Sequence, residues 1–192
     1  VIIINQGLKK YGGDLAIGAF GIVNRLVFIV VMIVMGLNQG MQPIAGYNFG
    51  AKLYGRVNKV LRLTIIYATA VTTFGFLVGM LVPDLVVGIF TSDAELTELS
   101  VTGLRITVMF FPIIGFQMVT SNFFQSIGMA GKAIFLSLTR QMLILLPCLL
   151  VLPQFFGVAG VWYSMPVSDL LASLIALVML VCQFRKFRTS PL

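Results

Sequence analysis

Between Leu26 and Leu37 the chain carries no polar side chain at all. The run belongs to a longer apolar stretch, about residues 15–37, that matches the roughly 20 residues a helix needs to cross hydrocarbon. Comparable stretches recur at about 63–82, 104–124, 133–152 and 156–182, each bounded by proline, glycine or charge. Within lipid every backbone N–H and C=O must be paired inside the segment, so runs of this length are read as helices. The pattern predicts an all-α integral membrane protein. It has about five complete transmembrane helices, preceded by the end of another.

Composition agrees. Charged residues make up 10% of the chain, the apolar set 59%, and mean hydropathy is +1.04, whereas a soluble domain carries roughly 25% charged residues. The net charge of +7 points to membrane orientation rather than nucleic acid, because the basic residues cluster at the ends of apolar runs. The two cysteines, Cys148 and Cys182, lie inside apolar runs without CxxC spacing, and histidine is absent. No metal, disulfide, cofactor or enzymatic constellation is therefore expected. The opening Val1-Ile2-Ile3-Ile4-Asn5 lacks the basic region and cleavage site of a signal peptide. It reads as the tail of a helix, so the chain is expected to be a fragment.

The expected segments are 1–8 (end of a preceding helix), 15–46, 60–83, 98–125, 133–153 and 156–183, followed by a basic tail at 185–192. Alternate connections carry opposite character. One side receives Lys52, Arg56, Lys59 and Arg62, then Lys132, then Arg185, Lys186 and Arg188. The other receives Asp93, Glu95 and Glu98 and the uncharged Pro153-Gln154. The positive-inside rule makes the first side cytoplasmic and places the C-terminus there; Lys9 and Lys10 run against it. Thr91-Ser92-Asp93 reads as a helix cap.

Chemistry can reside where polar groups interrupt the spans. Asp169 is the one carboxylate well inside a span and follows Pro166, which removes a helical donor. It is read as a cation or proton site, or as half of a structural pair with an arginine. Arg25, next to Asn24, is positioned to attract an anion or to neutralise Asp169 across the bundle. Arg105 and Arg140 lie near span ends and are read as reaching for headgroups. Gln117, Ser121 and Gln125, spaced by four, share a helix face close to Thr120 and Asn122. That face either lines a wet cavity or bonds neighbouring helices. Gly36-x-x-x-Gly40 and Gly75-x-x-x-Gly79 are read as close-packing pairs. Pro43, Pro83, Pro112, Pro147 and Pro166 mark expected bends. The 16 Phe and 10 Met suit lipid contact, or a pocket for bulky apolar cations.

The segment Gly36-Leu37-Asn38-Gln39-Gly40-Met41-Gln42-Pro43-Ile44-Ala45-Gly46-Tyr47-Asn48-Phe49-Gly50-Ala51-Lys52 crowds small and amide residues at the end of an apolar run. With Tyr11-Gly12-Gly13-Asp14-Leu15-Ala16 before it and Arg56-Val57 after, it resembles the second repeat of the MATE (multidrug and toxin extrusion) family. Gly157-Val158-Ala159-Gly160-Val161-Trp162, followed by Pro166 and Asp169, resembles the family's last helix. The resemblance implies a six-helix C-terminal lobe, with residues 1–8 closing helix seven and the five spans being helices eight to twelve. It implies export of drugs or organic cations across the plasma (inner) membrane by antiport against Na⁺ or H⁺, with the N-terminal lobe and membrane lipid as partners. The candidate ion and substrate pathway is then Asp169, Arg25, Asn24, Gln42, Gln117, Ser121, Asn122 and Gln125. Gly36, Gly40, Pro43, Pro112 and Pro166 serve bending or close packing. In one branch of the family acidic residues on the seventh and tenth helices help hold the cation, yet 104–124 has no carboxylate. A lipid-linked oligosaccharide flippase of the same superfamily, or a non-transporting membrane protein, is the alternative.

Overall fold

The computed structural model describes residues 2–189, with side chains described for 3–185. Residues 190–192, the end of the expected tail, lie outside the described part. The elements are α1 (Ile2–Gly50), α2 (Tyr54–Leu81), α3 (Pro83–Gly88), α4 (Ala94–Val108), α5 (Phe111–Ser126) and α6 (Ala130–Leu138). A π-helical turn, Thr139–Leu145, then leads into α7 (Leu146–Phe156) and α8 (Val158–Thr189). No strand occurs among the described residues.

α1 is not one rod. Gly13 leaves the helical region with φ 68° and ψ −163°, a conformation that costs glycine little. Ile3 and Ile4 line the same cleft as Asn24, Val27 and Phe28. In an unbroken helix those groups would stand about 30 Å apart, so the chain doubles back at Gly13. The stretch between the expected segments 1–8 and 15–46 is thus helical apart from this residue.

α4 and α5 differ more from a single span over 98–125. They meet at an angle of 54°, with Pro112 in the first turn of α5. A proline there supplies no N–H to the preceding turn and its ring pushes against it, which breaks the helix at Met109 and Phe110. α4 starts earlier than expected because Asp93 caps it. The Asp93 Oδ1 accepts from the Leu96 N–H at 2.8 Å, and the Thr97 hydroxyl adds a bond to the Asp93 carbonyl at 2.6 Å. Pro83 opens the short α3 where α2 ends. Pro43 and Pro166, by contrast, sit inside helices, and α8 continues through the start of the expected tail to Thr189.

Two apolar clusters stack along the bundle. One joins Leu8, Phe20 and Val23 of α1 to Leu104 and Val108 of α4 and Trp162 of α8. The other joins Met41 and Ala45 to Leu61 of α2, Phe123 and Phe124 of α5 and Leu180 of α8. The outer surface is apolar as well: Phe74, Leu81 and Phe155 are 69%, 75% and 76% exposed. Such a surface suits lipid rather than water. Several buried hydroxyls are satisfied within their own helices, Thr72 by the Ala68 carbonyl, Thr107 by Gly103 and Ser164 by Gly160. This is the usual solution where no water competes.

Close approach falls on small residues, though not all the expected ones. A Cβ on Gly75 would come within 2.9 Å of Val30, and one on Gly79 within 3.1 Å of Val108. Gly36 and Gly40 are a correction: a Cβ on either would meet nothing within 4 Å, so this pair packs no helix of the bundle. α2 and α5 approach closely at Gly115, where a Cβ would stand 2.8 Å from the Ala68 carbonyl oxygen. Backbone cannot yield as a side-chain tip can. Gly115→Ala is therefore expected to cost about 1–3 kcal/mol through overpacking, whereas Gly21→Ala, with nothing within 4 Å, leaves stability nearly unchanged. Thermal unfolding of the two purified variants in detergent checks the contrast.

Candidate functional site

A cleft of about 780 Å³ opens on one side of the bundle between α1, α4, α5, the π-turn, α7 and α8. Its walls are mostly apolar: Val27, Phe28, Phe111, Ile114, Met118, Leu149 and Met165. Polar groups enter at few points, among them Asn24, Thr107, Gln141, Arg140 and Asp169.

The charged pair is the centre of this site. Arg140 Nε donates to Asp169 Oδ1 at 2.7 Å, an ion pair that joins the π-turn to α8. The two ends differ in exposure, 33% for the Arg140 side chain and 7% for Asp169. The carboxylate is enclosed and the guanidinium borders open space. The Asp169 carbonyl also accepts from the Ser173 hydroxyl at 2.7 Å, which ties the same residue into α8.

The local sequence accounts for the placement of Arg140. Pro147 lies in the first turn of α7, so it donates no hydrogen bond back and its ring crowds the Leu143 carbonyl. A widened i→i+5 turn relieves that conflict, and the seven residues Thr139–Leu145 adopt it. Such turns are rare and recur at functional sites. Gly157, with φ 57°, then reverses the chain into α8. That reversal lets Arg140, before it, meet Asp169, after it.

This corrects one expectation. The partner of Asp169 is Arg140, through its Nε, and not Arg25. Arg25 is exposed and outside the cleft lining, although its neighbour Asn24 is part of it. The pairing was open to view in one respect: Asp169 is the sole carboxylate inside a span, and the span preceding it holds one arginine. The π-turn that aims that arginine has no such pattern beyond Pro147.

The polar face of α5 divides. Gln42 Nε2 donates to Asn122 Oδ1 at 3.2 Å, and one turn on, a Cβ at Gly46 would stand 2.9 Å from the Ser126 carbonyl. The amide pair and the small residue together hold the glycine-rich end of α1 against α5. Asn122 also donates to the Met118 carbonyl at 2.9 Å. Ser121 stands 3.4 Å from the Ser137 hydroxyl and, with Gln125, lines a separate pocket of about 240 Å³ beside α6. Gln117 is buried, at 4% exposure. Gln117, Ser121 and Gln125 thus do not line one continuous cavity. Beside the end of α5, Lys132 donates to Gln183 and lies 5.2 Å from the Phe124 ring centroid.

Asn38, within the glycine-rich segment, is a further polar residue without a role assigned by its spacing. It is 2% exposed, and neither amide atom has a partner among the described residues. Among the described residues no three His, Cys, Asp or Glu side chains come together as a metal group.

A bundle of up to five apolar spans, with a largely apolar cleft on one flank, defines an integral membrane protein of the all-α class. The MatE family model matches residues 2–150, and the chain belongs to this family of multidrug efflux transporters. Multidrug export protein MepA of Staphylococcus aureus (strain MSSA476) is 28% identical over 176 residues, 92% of this chain and 38% of that protein. MepA of Staphylococcus saprophyticus is 24% identical over the same share. A solved structure of the MATE multidrug transporter DinF-BH is 37% identical, with a TM-score of 0.82. The match covers 95% of this chain and 41% of that one. An outward-facing multidrug resistance MATE transporter of the MOP superfamily, 18% identical, superimposes with a TM-score of 0.90 over 98% of this chain and 43% of that one, and so shares the fold. The chain spans about two fifths of the length of these relatives.

Because the carboxylate is the enclosed partner, the two halves of the pair are not equivalent. Arg140→Gln strands a buried carboxylate and is expected to destabilise by about 3–5 kcal/mol. Asp169→Asn leaves a cation that can turn towards open space and costs less. Detergent thermal stability of the two single variants checks the order; equal losses, or a larger loss for Asp169→Asn, would contradict it.

Proposed function

We propose that this chain forms one wall of a cation-coupled antiporter that exports small amphiphilic compounds, organic cations included, across the plasma (inner) membrane. The observation that supports it most is the cleft: wide enough for a drug-sized ligand, apolar on most of its surface, and open along one flank. An open flank needs a second wall, and the remaining length of the relatives, an N-terminal lobe, is the proposed partner. Rocking of two lobes about such a cleft alternates its access. The charge pattern of the connections supports a cytoplasmic position for Lys52, Arg56, Lys59, Arg62, Lys132 and the C-terminus.

The coupling ion is Na⁺ or H⁺. Asp169 is the carboxylate at the cleft, and its engagement with Arg140 means that an ion arriving there must first loosen the pair. Coupling by an acidic group of the other lobe, with Arg140 and Asp169 holding the wall in shape, is the form this reading takes where Asp169 binds no ion itself. In either form the pair positions α8 against the π-turn, so its loss slows transport.

The test is ethidium efflux from cells carrying the intact protein, under imposed Na⁺ or pH gradients. Gradient-driven efflux is expected, and Asp169→Asn is expected to slow it about tenfold, ~1.4 kcal/mol in barrier, at equal expression. Absence of efflux for any amphiphilic dye would contradict the proposal.

A further inference from the structure

The sign of the charge that the cleft presents is the opposite of what export of organic cations alone would call for. Asp169 is the only acidic residue in the lining and Arg140 the only basic one among the described residues. The carboxylate is nearly enclosed, at 7% exposure, while a third of the Arg140 side chain is exposed. The pair is made through Nε. Neither Nη amino group of Arg140 has a hydrogen-bond partner among the described residues.

A guanidinium is a flat fork of five donors that matches the two oxygens of a carboxylate or the oxygens of a phosphate. With Nε anchored on Asp169, the side chain is held in place and its outer donors remain to be filled. Anchoring matters because an arginine fixed beforehand loses little rotamer freedom when it binds. Gln141, exposed on the π-turn, and Asn24 of α1 also line the cleft and carry amide donors. Val27, Phe28 and Met165 supply apolar wall nearby.

We infer that Arg140, held by Asp169, is an oxyanion subsite within the cleft, so that this wall favours amphiphiles bearing a carboxylate or phosphate over equally apolar ligands without one. The inference rests on the cleft being the path of exported amphiphiles. It deepens that reading by assigning the recognition of a negative group to this lobe. A zwitterion is then the ligand best matched to the site.

Two fluorescent dyes of nearly the same shape test this. Rhodamine 110 carries a free carboxylate, and rhodamine 123 is its methyl ester. Their affinities for the purified intact protein are measured by fluorescence polarisation in lipid-free detergent. The wild type is expected to bind rhodamine 110 about tenfold tighter than rhodamine 123, the worth of one charge-assisted contact. The ratio is expected to fall to about one in Arg140→Gln. Should that variant not survive purification, Arg140→Gln with Asp169→Asn removes both charges and strands neither, and the ratio is again expected near one.

Equal affinities in the wild type, or a preference that survives both variants, would overturn the subsite while leaving amphiphile export intact. Failure of both dyes to bind would overturn the subsite and the export reading together. Titration with phosphatidylglycerol separates the sources of the oxyanion. Loss of the rhodamine 110 preference as the lipid is added would place a headgroup phosphate on Arg140 and support the subsite. A preference that withstands the lipid supports the substrate's own carboxylate as its occupant.

Discussion

A carboxylate inside an apolar bundle must find a cation, and much of this structure follows from how Asp169 finds Arg140. Removing two charges from water is costly, and their attraction offsets that cost only with close geometry. The 2.7 Å contact needs three things in one place. α8 must present Asp169 inward, the Gly157 reversal must bring α8 back along α7, and the π-turn must aim Arg140 across the gap. Pro147 favours the last by removing a helical hydrogen bond and crowding the preceding turn at that point. The pair in turn fixes one edge of the cleft, with an enclosed negative end and an accessible positive one.

Hydrocarbon imposes the same demand on the backbone. Two breaks in the helices, at Gly13 and at Met109 and Phe110, serve the packing of the interior. Gly13 turns the chain back so that Leu8 and Phe20 share one buried cluster. The 54° bend between α4 and α5 leaves Phe111 and Ile114 in that cluster and in the wall of the cleft. The bend gives α5 a direction of its own, which lets Gly115 press on α2 while Gln42 and Gly46 of α1 hold its far end. The glycine-rich segment that marks the family in the sequence thus has a plain mechanical task at Gln42 and Gly46. Gly36 and Gly40, in the same segment, touch no helix of the bundle among the described residues.

The helical membrane architecture was readable in the sequence because hydropathy and lipid leave few solutions. The spans, the cap at Asp93 and the break near Pro112 all have strong local causes. The site was readable only in its ingredients. Asp169 stood out by its charge, but spacing along one helix cannot reveal which arginine of another reaches it. The even spacing of Gln117, Ser121 and Gln125 was equally misleading. A face of one helix becomes a cavity lining only where its neighbours stand apart, and here α6 closes over part of it while Gln117 is buried. Asn38 carried no charge or period to mark it, yet among the described residues it is the most completely enclosed amide without a partner.

The claim on which the account rests is that Arg140 and Asp169 act as one unit. A double-mutant cycle of Arg140→Gln and Asp169→Asn in the intact protein, read by thermal stability, measures this directly. The account predicts that the double variant is more stable than the sum of the two single losses allows, with a coupling above about 1 kcal/mol. Additivity within about 0.5 kcal/mol would mean that the two charges stand independently, and the description of the cleft built on their pairing would fail.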